Sequence, residues 1–238
     1  MKGSRIIVTG SSSGIGKSVS ESLLEKGATV IGLSRSQRAF IPKSDRYRWY
    51  SCDISNLKNL SEVFEKILKD NPRIDGFISN AGFGQFGGFE SFSTAQIISY
   101  LHSNLISQII MTRALIPLMK KQKKGKIIFI GSESALQGGQ QGSIYSVAKF
   151  GLRGFSQALR DECAKSKVHI SIVNPGMVRT DFFDDLSFSP GDDPSNAIEP
   201  EDVAEVVLSI LKMREGTVID EINLSPLNKV IKFKKDKS

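Results

Sequence analysis

A turn rich in glycine and serine, set between a strand-like run and an amphipathic segment, constrains the fold of this chain most. The run from Arg5 to Thr9 is short and rich in β-branched residues, which predicts a buried strand. The turn from Gly10 to Gly16 follows at once, and apolar residues then recur at helical spacing until Gly27. Such a turn lets backbone N–H groups and the helix N-terminus face an anion. We therefore expect a dinucleotide-binding unit, although the spacing is G-x3-G-x-G rather than G-x-G-x-x-G, and the alternative is a plain turn.

Strand-like and helical segments alternate along most of the remaining chain. Further strands are predicted at 28–33, 46–52, 74–79, 126–130, 168–173 and 217–222, and helices at 57–68, 97–121, 143–163 and 201–213. This alternation predicts an α/β fold, a doubly wound parallel sheet of about seven strands with helices on both faces, as in a Rossmann fold. Its ligand crevice lies at the carboxyl ends of the strands. We find no internal repeat or linker and expect one domain over residues 1–238.

The amino-acid composition predicts the class of protein and its environment. Apolar residues make up 39% of the chain and charged residues 24%, so a sizeable core is expected. Two cysteines, Cys52 and Cys163, stand far apart, and two histidines are present, which predicts a reduced environment and no metal site. The N-terminus lacks a signal-peptide pattern, and no apolar run approaches the roughly 20 residues of a transmembrane helix. We expect a cytoplasmic protein without a membrane partner.

The net charge of +7 is concentrated in two places, Lys120 to Lys126 and Lys229 to Lys237. One interpretation is binding to nucleic acid or to a membrane surface, and the other is a solvated turn and a ragged terminus. Neither run interleaves aromatic residues as a base-stacking platform does, so we favour the second interpretation and expect no nucleic-acid partner. Residues 227–238 are thus predicted to form a basic tail.

The end of the second predicted strand bears on the choice of cofactor. NAD sites commonly carry an acidic side chain here for the ribose 2′-hydroxyl group. This chain has Ser34 and Arg35, with Arg38 close by. None of these side chains repels a 2′-phosphate, and a guanidinium can bind one, which favours NADP over NAD. The alternative is a surface arginine in a charged loop.

Tyr145 and Lys149 stand four residues apart on the helix predicted at 143–163, so their side chains leave the same face. A phenol, with a free pKa of about 10, is a poor acid near neutral pH. A cation beside it favours the phenolate and lowers that pKa. The pair is therefore predicted to donate and accept a proton, which carbonyl reduction and alcohol oxidation both require. Taken alone, the pair also fits an ordinary solvated helix.

The ordered set of these residues resembles the short-chain dehydrogenase/reductase family. The match runs from Arg5 to about Thr180, with weaker support to Leu224. The motifs that carry it are Thr9-Gly10-x3-Gly14-Ile15-Gly16, Asp53, Asn80-Ala81-Gly82, Asn104, Ser132, Tyr145-x3-Lys149 and Pro175-Gly176-x-Val178-x-Thr180. Ser132 stands thirteen residues before Tyr145, which is the spacing that this family uses.

The resemblance implies an NADP-dependent oxidoreductase with four catalytic residues. Tyr145 would be the general acid in reduction and the base in oxidation. Lys149 would lower the pKa of Tyr145 and bind the nicotinamide ribose. Ser132 would hold the substrate carbonyl oxygen and stabilise the charge that develops there. Asn104 would hold a water molecule that links Lys149 to solvent.

The resemblance also implies contacts along the whole cofactor. Glycines would line the pyrophosphate, Asp53 would contact adenine, Asn80 would support the sheet and the cofactor, and residues 175–180 would close over the carboxamide. The predicted cofactor-binding residues are Gly10, Ser12, Ser13, Gly14, Ile15, Gly16, Ser34, Arg35, Asp53, Ile54, Asn80, Ala81, Gly82, Tyr145, Lys149, Pro175, Gly176, Val178 and Thr180.

An apolar substrate pocket is predicted beside Ser132. Its candidate residues are Phe83, Phe86, Met177, Phe182 and Phe183, and the alternative is that they belong to the core. Residues 181–199 are predicted to form a substrate lid, because an irregular segment beside a ligand crevice is often mobile. Arg153 and Arg179 are candidates for binding a substrate carboxylate. The expected substrate is a ketone, an aldehyde or a 3-hydroxy acid.

The end of the chain departs from a common pattern of the family. Many members, 3-oxoacyl-carrier-protein reductases among them, have a Gly-Gly motif after the last strand, whereas this chain continues from Gly216 to Pro226 without it. The departure disfavours such a reductase and the tetramer built through that strand. A homodimer is expected, with a tetramer as the alternative. A 3-oxoacyl-carrier-protein reductase and a non-catalytic NADP-binding regulatory protein stay as alternative functions.

Overall fold

The computed structural model describes residues 1–37 and 40–234. Arg38 and the last four residues of the basic tail lie outside the described residues. The strands are β1 (Arg5–Thr9), β2 (Thr29–Ser34), β3 (Tyr47–Ser51), β4 (Gly76–Ser79), β5 (Gly125–Ile130), β6 (Val168–Pro175), β7 (Phe188–Pro190), β8 (Glu221–Leu224) and β9 (Ile231–Phe233). The α-helices are α1 (Gly14–Glu25), α2 (Leu57–Asp70), α3 (Thr94–Leu101), α4 (Ser107–Gln122), α5 (Ser143–Cys163) and α6 (Pro200–Lys212).

Seven parallel strands form the central sheet in the order β3-β2-β1-β4-β5-β6-β8. Side chains of successive strand residues point to opposite faces, and each face has its own core. Ile7 packs in the core that includes residues of α2, α4 and α5, whereas Ile6 and Val8 pack in the core that includes residues of α1 and α6. The doubly wound parallel sheet is therefore confirmed. Its order reverses next to β1, so a crevice opens at the carboxyl ends of β1 and β4.

The helical region predicted at 97–121 begins earlier and contains an irregularity. Ser93 starts α3 with a capping box to Gln96, and a π-helical turn, His102–Ile106, separates α3 from α4. π-Turns of this kind often lie at functional sites. Pro117 lies inside α4 without ending it. Asn104, in the π-turn, is buried.

The last strand of the sheet is displaced from its predicted position at 217–222. Thr217 closes a turn after α6, since its N–H donates to the carbonyl of Arg214 at 3.1 Å. The strand β8 begins only at Glu221, which pairs with Ile172 of β6. The β-branched residues from Thr217 to Ile219 suggested a strand, but Thr217 belongs to the turn after α6. The register of β6 sets where pairing begins.

The expectation of an irregular segment at 181–199 and a ragged terminus is wrong in part. Strand β7 lies inside that segment and pairs antiparallel with β9 of the basic tail, with Phe188 opposite Phe233. The tail is thus folded onto the segment that was predicted to be a lid. Sequence gave no sign of this pairing, because each strand has only three residues and no turn joins them directly.

The first basic run also has a structural role. Lys126 is half-buried, and its ammonium donates to the carbonyls of Ile210, Leu211 and Met213 at 3.2, 2.8 and 2.6 Å. These carbonyls lie at the carboxyl end of α6, where a cation is favourable. Cys52 and Cys163 are buried and unpaired. Within the described ranges, no helix is long and apolar enough to cross a membrane, and no group of three metal-ligating side chains occurs.

Candidate active site

The glycine turn after β1 packs its backbone closely against α1. Gly10 and Gly14 adopt positive φ angles of 66° and 49°, which disfavour other residues. A β-carbon at Gly16 would lie 2.1 Å from the carbonyl oxygen of Gly10, so only glycine fits there. In the described structure Ser13, ahead of α1, makes no side-chain capping bond, and the first turn carries no acidic residue. Neither feature blocks an anion from the N–H groups of that turn, and the predicted phosphate site stays a prediction.

Thr9 and Asn80 join the ends of β1 and β4. The Thr9 hydroxyl oxygen accepts from the N–H groups of Asn80 and Ala81, both at 2.9 Å, and the Asn80 amide donates to the Thr9 carbonyl at 3.0 Å. A β-carbon at Gly10 would lie 2.8 Å from the Asn80 amide nitrogen. Asn80 therefore fixes the glycine turn against the neighbouring strand, which agrees with its expected support of the sheet.

Ser132, Tyr145 and Lys149 lie together where β5 meets α5. Ser132 follows β5, while Tyr145 and Lys149 lie in the first two turns of α5. The ammonium of Lys149 lies 5.7 Å from the centroid of the Tyr145 ring and donates to the carbonyl of Ile130 at 3.0 Å. Ser132 lies near enough to Tyr145 for its side chain to lower the pKa of the phenol. All three residues are buried, with 7–8% of their surface exposed.

Burial dominates the electrostatics of this cluster. It raises the pKa of Tyr145 to about 12, because a buried phenolate loses its hydration. The hydrogen bond with Ser132 lowers this pKa, and the nearby carboxylate of Glu133 raises it. Burial also lowers the pKa of Lys149 to about 8. The net direction at Tyr145 is opposite to the lowering expected from Lys149, because burial has the largest effect on the pKa of this phenol.

Asn104 is engaged on both sides of its amide. Its side-chain oxygen accepts from the N–H of Phe83 at 3.0 Å, and its nitrogen donates to the carbonyl of Tyr100 at 3.1 Å. The main-chain carbonyl of Asn104 accepts from the side chain of Gln108 at 2.8 Å. In this structure, Asn104 therefore holds the loop after β4 against the π-turn. The predicted water link to Lys149 stays a prediction.

The expected adenosine end of the site contains Ser34, Arg35 and Asp53. The Ser34 hydroxyl donates to the carbonyl of Ser36 and accepts from the indole N–H of Trp49, each at 2.9 Å, so it is engaged within the fold. Arg35 is exposed at the end of β2. Asp53 accepts two hydrogen bonds from Ser55, which lower the pKa of its carboxyl group, and Arg35 lowers it further. Ile54 packs partly buried against the core.

The segment 175–180, which is predicted to cover the cofactor, reaches the glycine turn. The Gly176 N–H donates to the carbonyl of Leu224 at 2.8 Å, and Val178 forms a bridge with Ile198. The methyl group of Thr180 lies 3.0 Å from the position of a β-carbon on Gly14. Pro175 is the last residue of β6, so the sheet directs this segment toward α1.

Phenylalanine side chains cover Tyr145 on the predicted substrate side. The ring centroids of Phe86 and Phe182 lie 5.1 and 6.2 Å from that of Tyr145. Phe183 packs behind Phe182 at 5.2 Å. Phe83 instead packs on Tyr100 at 5.1 Å and is 45% exposed. The prediction of an aromatic wall thus has direct contacts at Phe86 and Phe182.

Three further residues lie on the predicted substrate side, one of them predicted from the sequence and two not. Met177, the predicted one, is buried. Sequence reasoning missed Phe188 of β7, whose ring lies 5.1 Å from Phe86 and 5.8 Å from Phe183. It also missed Tyr100, whose hydroxyl donates to the carbonyl of Phe83 at 2.9 Å. The only sequence signal for Phe188 was its place in a phenylalanine-rich segment.

Comparisons with known proteins agree with this geometry. The family model described as short chain dehydrogenase matches residues 4–189. A 3-oxoacyl-[acyl-carrier-protein] reductase of Bos taurus is 32% identical over 76% of this chain and 78% of its own length. An NADP-dependent 3-hydroxy acid dehydrogenase of Schizosaccharomyces pombe is 29% identical over 95% of this chain and 93% of its own length. A metagenomic short-chain oxidoreductase in complex with NADP superposes with a TM-score of 0.81 at 27% identity, covering 96% of this chain and 99% of that one.

Proposed function

Because the chain belongs to the short-chain dehydrogenase family, whose similar members are reductases and dehydrogenases of carbonyl and CH–OH groups, we propose that it transfers a hydride between NADP(H) and a small carbonyl or alcohol. The observation that carries the proposal is the cluster of Ser132, Tyr145 and Lys149 beside the glycine turn. Since the chain keeps every residue of the proposed catalytic set, a purely regulatory, non-catalytic role is disfavoured.

The residues present fit a nicotinamide dinucleotide. Gly10, Gly14 and Gly16 leave a turn without β-carbons, and the first N–H groups of α1 point from it. Residues 175–180 would cover the nicotinamide end. When bound, the cofactor supplies or accepts the hydride. Arg35, exposed at the end of β2, would bind a 2′-phosphate, which favours NADP.

Tyr145 is the proposed acid and base. With a pKa of about 12 its phenol is protonated at neutral pH, so it can donate a proton to a substrate carbonyl oxygen during reduction. The Ser132 hydroxyl accepts the N–H of Ser134 at 3.1 Å and keeps its own proton to donate to the same oxygen. Lys149, whose pKa is lowered to about 8, can return a proton to Tyr145 in each turnover.

The surroundings of Tyr145 favour an uncharged, apolar substrate. Phe86 and Phe182 form the wall next to the phenol. Of the two arginines considered for a carboxylate, Arg153 binds Glu221 at 2.9 Å and Arg179 binds Glu199 at 3.1 Å. Both are therefore engaged elsewhere. We propose a ketone or aldehyde with an apolar substituent ahead of a free 3-hydroxy acid.

A 3-oxoacyl-carrier-protein reductase is the second candidate. The observation that favours it is the 32% identity to the Bos taurus reductase of that name. That match covers 76% of the chain, whereas the match to the yeast 3-hydroxy acid dehydrogenase covers 95%. A long acyl thioester would also have to enter past Phe182. Acetoacetyl-coenzyme A serves as the probe for this candidate.

The test measures NADPH oxidation with an aromatic aldehyde, an aliphatic ketone, a 3-oxo acid and acetoacetyl-coenzyme A. Tyr145→Phe should reduce turnover by at least a thousandfold, since the proton donor is lost, and should change the NADPH dissociation constant by less than about threefold. Tyr50→Phe is the matched control, because the Tyr50 hydroxyl lies on the surface near Asp70. Turnover by Tyr145→Phe equal to that of the wild type would refute the assignment.

A homodimer through α4 and α5 is also proposed. Val147 and Phe150 stand three residues apart on α5 and are 58% and 43% exposed, so they give this face of the helix apolar surface that a second copy would cover. Light scattering at micromolar concentration tests this proposal: the wild type should be a dimer, and Val147→Asp should shift it toward a monomer. A wild type that is already a monomer, with a mass that Val147→Asp does not change, would contradict the proposal.

A further inference from the structure

The carboxyl-terminal segment contacts the active site through one ion pair. After β8 the chain passes directly beside the proposed nicotinamide cover. The Leu224 carbonyl accepts the Gly176 N–H, and the Pro226 ring lies 3.1 Å from the position of a β-carbon on Gly176. Three residues later, Lys229 reaches the carboxylate of Glu133, with its ammonium 2.7 Å from the nearer oxygen. This pair joins the segment to the turn that carries Ser132.

Glu133 lies next to the proposed catalytic residues but is not one of them. It follows Ser132 directly, and its other carboxylate oxygen lies 3.4 Å from the position of a β-carbon on Gly176. Its side chain is only 32% exposed, so its charge is partly shielded from water. Its carboxylate makes the Tyr145 phenolate less favourable. A cation paired with Glu133 therefore offsets that effect.

We propose that Lys229 is a positioning residue of the active site, which through its ion pair with Glu133 sets the charge around Tyr145 and couples the carboxyl-terminal segment to proton transfer. The inference rests on the proposed function of Tyr145 as the acid and base. It assigns Lys229 a role that the sequence did not reveal, since the residue stands in a run that had the pattern of a ragged basic terminus.

The groups that face Tyr145 come from five elements. Lys149 lies on its own helix, Glu133 lies on the turn after β5, and Tyr100 faces it from α3. The loop after β4 and the predicted lid contribute the rings of Phe86 and Phe182, which carry no charge. Of the charged groups, Glu133 is the one that the tail can modulate, because Lys229 is its ion-pair partner.

The segment also offers a matched control. Lys232 pairs with Asp192 at 2.6 Å, three residues further along the same segment. Its side chain is 55% exposed, against 53% for Lys229. Lys232→Ala therefore loosens the segment on the surface to a similar degree and leaves Glu133 paired.

The test reads the titration of Tyr145 directly, with the full chain labelled with 3-fluorotyrosine. The label makes phenols more acidic and gives one fluorine resonance for each of the four tyrosines, and Tyr145→Phe identifies the one of interest. Lys229→Ala should raise the pKa of Tyr145 by roughly 0.5 unit, because it leaves the Glu133 carboxylate unpaired. Glu133→Gln should lower it by a similar amount, since it removes the negative charge. Lys229→Arg and Lys232→Ala should leave it within about 0.2 unit of the wild type.

The opposite directions of the two expected pKa shifts distinguish an electrostatic role of the ion pair from a structural one. Both Lys229→Ala and Glu133→Gln break the same ion pair. If that pair had only a structural role, both variants would shift the pKa of Tyr145 in the same direction or leave it unchanged. Either result overturns the inference. The pH profile of NADPH-linked turnover should move in the same directions as the fluorine titration. If the wild type reduces no carbonyl compound, the proposed function fails, whereas the fluorine titration still tests the ion pair on its own.

Discussion

The two sides of the crevice are built in different ways. On the cofactor side, backbone groups pack against one another, and Gly16 leaves no room for a β-carbon. The Thr9 hydroxyl accepts two main-chain N–H groups there. On the substrate side, the contacts are between aromatic rings, and the outer layer is held by surface ion pairs such as Lys232–Asp192.

This difference shows where each side can change. Backbone packing at van der Waals distance tolerates almost no added volume, because the main chain cannot move aside locally. Aromatic rings and exposed ion pairs can rearrange at low cost, and exposed pairs contribute little stability. The cofactor side is thus expected to be rigid, and the substrate side is expected to open and to determine specificity.

The largest expected effect comes from filling the rigid side. Gly16→Ala places a β-carbon 2.1 Å from the Gly10 carbonyl oxygen, so the turn must shift. We expect it to lower the free energy of unfolding by about 3 kcal/mol and to weaken NADPH binding at least tenfold. Gly154→Ala is the control, because its β-carbon would meet open space on α5 and should not destabilise the protein. Urea unfolding and fluorescence titration measure both quantities, and equal stability of the two variants would show that the turn is not rigid.

A second effect arises between the two sides, at Lys149. Burial lowers its pKa to about 8 from the ordinary 10.5 of an unfolded chain. Between these values the unfolded state binds one proton more than the folded state, so the free energy of unfolding should rise with pH. Below pH 8 both states are protonated, and the destabilisation is constant. The gain from Lys149 by pH 9 is on the order of 1 kcal/mol.

Lys149→Met should remove most of this pH dependence, while Lys165→Met, at an exposed position, should keep it. Urea unfolding from pH 7 to 9 makes the measurement. The range ends at pH 9 because burial raises the pKa of Cys52 to about 11, which makes stability fall with pH above the ordinary pKa of a thiol, and the raised pKa of Tyr145 acts in the same direction above pH 10. A wild type whose stability falls between pH 8 and 9 would contradict the burial of a charged Lys149.

The smallest expected effect on stability lies on the substrate side. Phe182 is half-buried between Tyr145 and Phe183, so Phe182→Ala should lower the free energy of unfolding by only about 1 kcal/mol. It should nevertheless raise KM for an apolar ketone by about fivefold and leave the NADPH dissociation constant unchanged, because the ring lies away from the glycine turn. Phe89→Ala, at a position that is 61% exposed, is the control. A change in NADPH affinity as large as that in KM would erase the distinction between the two sides.

The parts of the site that sequence predicts well depend on local chain geometry. The strand from Arg5 to Thr9 has the predicted bounds, since buried β-branched runs have few alternatives. The glycine turn is predictable because positive φ angles and close backbone approach require glycine. The helical spacing of Tyr145 and Lys149 places both side chains on one face before any tertiary contact is known.

Contacts between distant segments were not predictable in this way. The pairing of β7 with β9 joins residues more than 40 positions apart, through strands too short to leave a pattern. Likewise, the direction of the pKa shift at Tyr145 depends on burial under Phe86 and Phe182, which come from two different loops. Nothing in the spacing of Tyr145 and Lys149 reports how much water reaches them.

The sequence by itself thus determined the doubly wound sheet, the glycine turn and the choice of side chains for the proposed site, because these follow from residue period, glycine conformation and chemical type. Only the tertiary structure decided that the basic tail folds back onto the lid, that Lys229 pairs with Glu133, and that burial rather than Lys149 governs the pKa of Tyr145. The physical reason is that desolvation and ion pairing depend on which distant atoms exclude water from a group, and chain-local patterns do not specify those atoms.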